Sequence, residues 1–240
     1  MEKKQKIGII GGLSPESTVS YYLHITRTYV ERFGDYGYPD IIIYSVNLEN
    51  YHGWRSQGRW DLVAEDLASS AKKLKAAGAD FGLIATNTMH KVFDDVAAAV
   101  DLPLINLIDE TARYAKELGL KALGLLGTRY TMSDGFYQDR LSEFGLETIV
   151  PAPEDQEAIH RVIVEELIRG HLSEESRNDY TKIINDLVRQ GAQGIILGCT
   201  EIPLLVQQED IDVPLLDTAV IHAEAALNFS IGSMTPADAT

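Results

Sequence analysis

The sequence predicts an α/β protein of two similar lobes, each a parallel sheet wrapped by helices, related by a pseudo-two-fold and facing each other across a cleft. Two observations carry this. Short apolar runs alternate with helix-length segments along the chain, the pattern of parallel strands joined by helical crossovers. The chain also repeats itself: Gly78-Ala-Asp-Phe-Gly-Leu-Ile-Ala-Thr86 returns without gaps as Gly191-Ala-Gln-Gly-Ile-Ile-Leu-Gly-Cys199. Ile7-Gly-Ile-Ile-Gly-Gly12 pairs likewise with Leu123-Gly-Leu-Leu-Gly-Thr128, and Leu102-Pro-Leu-Ile with Val213-Pro-Leu-Leu. A repeat of this length implies two similar halves rather than a solenoid. The expected division is 1–101 plus 214–230 for one lobe, 102–213 for the other, and a flexible tail over 231–240.

Each element has its own signal. Lys6 to Gly11 reads as a buried strand, and Ser14 caps a helix with Pro15 in its first turn, running to about Phe33. Asp40 to Val46 is a β-branched strand, followed by a loop from Asn47 to Gly58 that holds His52, Trp54 and Arg55. A helix over Asp61 to Ala77 stops at Gly78, and the first copy of the repeated strand leads into a helix over Met89 to Val100. Leu102 to Leu107 is a strand and Asp109 to Leu118 a helix closed by Gly119. The second half gives strand Lys121–Leu126, helix Tyr130–Phe144, strand Leu146–Val150, and helices Glu154–Arg169 and Ser173–Arg189. After the second copy of the repeat come a short helix to about Gln207, strand Val213–Leu216, and a helix capped by Thr218 and ending near Asn228.

Composition bounds the function. The 240 residues, 45% apolar, can bury a substantial core, and a net charge of −15 argues against nucleic acid or an anionic membrane as partner. A small anionic substrate stays compatible, because the potential inside a cleft can differ in sign from the whole. One cysteine excludes an internal disulfide framework, and no C-x-x-C metal spacing occurs. With no secretory or membrane-spanning run visible, the expected compartment is the cytoplasm.

Ligands of parallel sheets bind beyond the strands' carboxyl ends. That rule collects Gly12 and Leu13, His52 and Arg55, Thr86 to Thr88, Thr128 to Thr131, Cys199 to Glu201, and Asp217. Thr200 and Glu201 are residue types that open a helix, so Cys199 is expected beneath a helix N-terminus, where amide dipoles lower a thiol's pKa. The first glycine turn reads G-x-x-G-G rather than G-x-G-x-x-G, with no acidic residue cleanly closing the second strand, which disfavours a dinucleotide. Its backbone amides suit a carboxylate instead. His90 and His222 either orient site groups or are structural, and Arg129 either meets substrate or holds an acidic residue between the lobes.

Through Ile7-Gly-Ile-Ile-Gly-Gly-Leu-Ser14, Asn87-Thr-Met-His90, Leu126-Gly-Thr-Arg-Tyr-Thr-Met132, Gly198-Cys-Thr-Glu201 and Asp217-Thr-Ala-Val-Ile-His-Ala-Glu224, the chain resembles the cofactor-independent aspartate/glutamate racemases. The resemblance implies a two-lobed α/β enzyme, a homodimer, with the active site between the lobes and a catalytic cysteine from each. Thr86 stands where the first cysteine is usual, as in a subgroup specific for L-aspartate and L-glutamate. It implies catalysis by Cys199 and Thr86, and substrate binding by Leu13, Arg55, Asn87, Thr88, Thr128, Thr131 and Thr200, with no metal or organic cofactor. A lysine that binds the side-chain carboxylate in some aspartate racemases is missing; Ile168 stands in register with Arg169 adjacent, leaving Arg55 or His52 to substitute.

Racemisation without pyridoxal phosphate needs a very weakly acidic Cα proton removed on one face and another delivered to the opposite face. A thiol can be tuned toward neutrality; a threonine hydroxyl can only donate or relay. The expectation is therefore an asymmetric enzyme in which Cys199 abstracts and Thr86 reprotonates. Two other readings stay open: a one-cysteine decarboxylase of malonates, and a binding protein for acidic amino acids that has lost one base.

Overall fold

A computed structural model describes residues 4–232. The chain forms two compact units, one comprising the residues up to Glu110 together with those from Ala219 onward, the other Thr111–Thr218.

The first unit opens with β1 (Ile7–Gly11), α1 (Pro15–Phe33), β2 (Ile41–Ser45), α2 (Leu48–Ser56), α3 (Trp60–Ala76) and β3 (Phe81–Ile84). A 3₁₀ turn (Thr88–Val92), α4 (Phe93–Ala98), β4 (Leu104–Ile105) and the start of α5 (Leu107–Glu117) follow. The second unit carries β5 (Ala122–Gly127), α6 (Arg129–Ser133), α7 (Phe136–Glu143), β6 (Glu147–Ile149) and α8 (Pro153–Glu165). It continues through a 3₁₀ turn (Leu167–Arg169), α9 (Glu174–Arg189), β7 (Gly194–Gly198), α10 (Ile202–Leu205), a 3₁₀ turn (Gln208–Asp210) and β8 (Leu215–Asp217). The last helix, α11 (Thr218–Ser230), belongs almost wholly to the first unit.

Each unit has one four-stranded parallel sheet, ordered β2-β1-β3-β4 in the first and β6-β5-β7-β8 in the second. The two orders are the same, so the duplication read in the sequence is a duplication of topology. Central strands β1, β3 and β7 are buried along their whole length, as helices on both faces of a parallel sheet require, whereas edge strands β2 and β6 are not. Alternate residues of a central strand feed different cores. Ile7 and Ile9 of β1 pack with Tyr21, Ile25 and the α11 face, while Ile10 packs with Tyr51, Leu67 and Leu74. Each such fully buried side chain stabilises the fold by about 1.5–3 kcal/mol.

Several expected boundaries move. The lobe junctions expected at 101/102 and 213/214 lie at 110/111 and 218/219. The cause is pairing: β4 joins β3, and β8 joins β7, so each stays with the sheet it follows in sequence. The expected loop 47–58 contains helix α2, because the Asn47 side chain accepts from the Glu49 N–H to start it and Tyr51 is buried inside. The single helix expected over 130–144 breaks at Gly135, whose φ is +80°. The helix expected over 89–100 begins as a 3₁₀ turn. Of the tail expected over 231–240, residues 233–240 lie outside the described residues. Among the described residues no helix is long and apolar enough to cross a membrane.

Candidate active site

The first unit's strand ends are shaped by close backbone approach. A side chain at Gly12 would meet the Val46 carbonyl at 2.5 Å, and its φ is +79°, so glycine alone fits there. The Gly12 N–H donates to Thr18 Oγ1 at 2.9 Å, while Thr18 in turn donates to the Ser14 carbonyl. Ser14 caps α1 as its sequence predicts. Leu13 is buried, its side chain part of the core with Ile10 and Tyr51.

Arg55 lies in the last turn of α2, not in a loop. Its Nη2 donates to His52 Nδ1 at 2.9 Å, so that nitrogen carries no proton. Burial, and then the neighbouring guanidinium, hold the His52 pKa below the ordinary histidine range. The helix is anchored through Tyr51, whose hydroxyl donates to Asp66 Oδ2 of α3 at 2.6 Å. Burial and the Asp66 carboxylate push the Tyr51 pKa up, keeping it a donor.

Thr86 follows β3 and is partly exposed. Its N–H donates to the Ile84 carbonyl at 2.8 Å, and its own carbonyl lies 2.8 Å from His90 Nδ1. Its hydroxyl makes no hydrogen bond among the described residues. Asn87 and Thr88, next in the chain, are buried.

In the second unit Cys199 follows β7 directly and is partly buried. Its Sγ donates to Glu201 Oε2 at 3.0 Å, and the Thr200 hydroxyl donates to the same oxygen at 2.9 Å. Burial raises the thiol's pKa well above its ordinary value, and the Glu201 charge and hydrogen bond raise it further. This reverses the expected lowering. The helix beyond Cys199 has only four residues, Ile202–Leu205, too short to present a sizeable dipole against a carboxylate at hydrogen-bond distance. Glu201 itself is 5% exposed.

Thr128 caps α6 by accepting from the Thr131 N–H, and the two hydroxyls lie 3.2 Å apart. Thr131 is fully buried, its methyl lying over Gly127 and Gly198 where side chains at those glycines would stand. Arg129 pairs with Glu157 at 3.1 Å, an acidic residue of its own unit and not one of the other lobe. Ile168 is exposed and Arg169 closes the 3₁₀ turn before Gly170.

Two residues gained a role that sequence reading had not assigned. Glu201 was read as a helix opener, yet the phrase Gly-Cys-Thr-Glu already put a carboxylate two residues from the thiol. Thr18, one helical turn beyond Ser14, had no signal of its own. Among the described residues no group of three or more His, Cys, Asp or Glu side chains is arranged to hold a metal ion.

Residues 10–226 match the Asp/Glu/hydantoin racemase family. The fold is similar to that of a candidate Asp/Glu racemase from Yersinia pestis, 46% identical over 95% of this chain and 99% of that one, with a TM-score of 0.90. It is also similar to an aspartate racemase homologue from Pyrococcus horikoshii OT3, 40% identical over 95% and 99% of the two chains, TM-score 0.81. In sequence it is 24% identical to the broad specificity amino-acid racemase RacX of Bacillus subtilis (strain 168), over 92% of this chain and 96% of that one. With the match spanning both sheets and the strand ends carrying Thr86 and Cys199, the chain belongs to the Asp/Glu/hydantoin racemase family.

Proposed function

We propose that the protein racemises aspartate, glutamate or both, taking the L-enantiomer preferentially, with Cys199 and Thr86 acting on opposite faces of the substrate Cα. The observation that carries this is the Cys199 thiol donating at 3.0 Å to the buried Glu201 carboxylate. A thiol so held has an acceptor for its proton beside it. In the proposed reaction that proton moves to Glu201 Oε2, and the resulting thiolate takes the proton from Cα. The carbanion is reprotonated on its other face through the Thr86 hydroxyl, which is replenished by water. The surplus proton on Cys199 and Glu201 returns to solvent, so atoms and charge balance.

Donors at the strand ends suit a dicarboxylate. The amide of Leu13, the α1 N-terminus, Asn87, Thr88, Thr128 and Thr200 are proposed to hold the α-carboxylate and spread the carbanion's charge, with Thr131 supporting Thr128 from below. Arg55 is proposed for the side-chain carboxylate. These steps require no metal or organic cofactor. The working form is proposed to be a cytoplasmic homodimer, which light scattering at micromolar concentration checks.

The test follows L-aspartate and L-glutamate separately in D₂O by NMR with chiral analysis. Deuterium entry at Cα together with inversion supports the reading. Retention of the α-proton in both substrates overturns it.

A further inference from the structure

Two buried histidines take no part in the proposed chemistry, yet each ring nitrogen has a partner that fixes its proton. The Leu107 N–H donates to His90 Nε2 at 3.1 Å, so Nε2 is unprotonated and the proton sits on Nδ1. Nδ1 therefore donates to the Thr86 carbonyl at 2.8 Å. His222 has the opposite tautomer. Its Nε2 donates to the Ile105 carbonyl at 3.0 Å, and its Nδ1 accepts from the Tyr21 hydroxyl at 2.9 Å. Burial, and then the proximity of His90, pull the His222 pKa down to about 3.

The two rings meet edge to face, with centroids 5.9 Å apart, and His90 stacks on Phe93 at 5.3 Å with the planes 6° apart. They grip the same junction, His222 through the last carbonyl of β4 and His90 through the first N–H of α5. His90 carries that hold across to the end of β3. Thr86 is thus fixed at its carbonyl by His90 and at its N–H by Ile84, while its hydroxyl is left without a partner among the described residues.

We infer that His90 is a positioning residue for the proton delivery by Thr86, and that the His90–His222 pair, locked in complementary tautomers, is the clamp that aims the Thr86 hydroxyl. This rests on the proposed racemase reading. Thr86 lacks the reactivity of a thiol, so delivery from it depends on placement, and a misplacement near 1 Å costs on the order of 100-fold. The clamp is composed of neutral groups, so it holds Thr86 without placing a charge beneath the site.

Two variants divide the two hydrogen bonds of His90. In His90→Asn the amide nitrogen falls where Nδ1 was and keeps the donor to Thr86. In His90→Gln the amide reaches the place of Nε2 and keeps the acceptor for Leu107 while losing the Thr86 bond. The readout is the ratio of inversion to α-deuterium exchange from L-aspartate or L-glutamate, whichever the parent turns over. Exchange through Cys199 monitors the folded, substrate-bound enzyme inside the same sample. The inference expects His90→Gln to lose about 10- to 100-fold in this ratio with exchange largely kept, and His90→Asn to recover most of it. Equal losses of exchange and inversion in both variants overturn the inference and leave the racemase reading standing. A parent that neither exchanges nor inverts overturns both, and is told apart by that result alone. Nitrogen-15 spectra of the histidine rings check the clamp without turnover: in the neutral rings His90 protonated at Nδ1 and His222 at Nε2 is expected, and a neutral His90 with its proton at Nε2 contradicts it.

Discussion

The carboxyl ends of β3 and β7 hold the same place in two sheets of the same strand order, but their leading side chains are held in opposite ways. At β7 the side chain is engaged: the Cys199 thiol is bonded to a carboxylate. At β3 the backbone is engaged and the side chain is left free: the Thr86 carbonyl is bonded to His90, and its hydroxyl to nothing described. Under the roles proposed above, the difference follows from chemistry. A thiol becomes a base by passing its proton to a neighbour, so it needs a carboxylate. A hydroxyl serves only as a donor or relay, so it needs fixed placement and no competing partner. Duplication supplied the frame, and the two ends diverged within it.

The largest expected effect breaks the β7 end. Cys199→Ser should lose on the order of 10³-fold in α-proton exchange, since a serine hydroxyl does not ionise in the accessible range; the D₂O assay measures it. Exchange that survives Cys199→Ser would assign the base elsewhere.

Next is the pH profile. Transfer of the thiol proton to Glu201 leaves the total protonation unchanged, and because the Cys199 pKa is raised, loss of that proton to solvent adds thiolate only on the alkaline side of the ordinary thiol range, where kcat should climb. Glu201→Gln removes the negative charge and the carboxylate acceptor, two causes of that rise, so the alkaline limb should move to lower pH. Its maximum rate should fall about tenfold through loss of the charge-assisted bond. Rates across pH 6–10 decide this, and an unmoved limb contradicts the pairing of Cys199 with Glu201.

A smaller effect sharpens the comparison through packing. At Gly198 an added Cβ meets the Leu126 carbonyl at 2.7 Å, backbone that cannot swing away, whereas at Gly11 it meets the Thr18 side chain. Gly198→Ala should cost about 1–3 kcal/mol in denaturant unfolding, and more than Gly11→Ala. Smallest in stability, Thr128→Val removes the cap of α6 and should cost about 1 kcal/mol in the same unfolding measurement.

Much of this was legible in the sequence because repetition and periodicity are local. The strand centres, the Ser14 cap with Pro15, and the placement of Thr86 and Cys199 at matched strand ends all came from short-range pattern. What stayed hidden depends on three-dimensional neighbours. Helix α2 starts at a local cap, Asn47, but is anchored by a buried tyrosine whose partner, Asp66, lies on another helix. The direction of the Cys199 shift is set by burial and by three-dimensional neighbours: the helix beyond it is only four residues long, while the carboxylate two places on lies within hydrogen-bond distance of the thiol. The junction residues Leu104 and Ile105 went to the wrong lobe because sequence shows where a strand is, not which sheet accepts it.

The division of labour between the two strand ends is tested most directly by Thr86→Val, which removes the hydroxyl and keeps the shape. Inversion and α-deuterium exchange are measured together from the L-substrate in D₂O. The account predicts that exchange through Cys199 continues while inversion falls by on the order of 100-fold. Inversion at the parent rate in Thr86→Val would contradict it, and would move the second proton donor away from the end of β3.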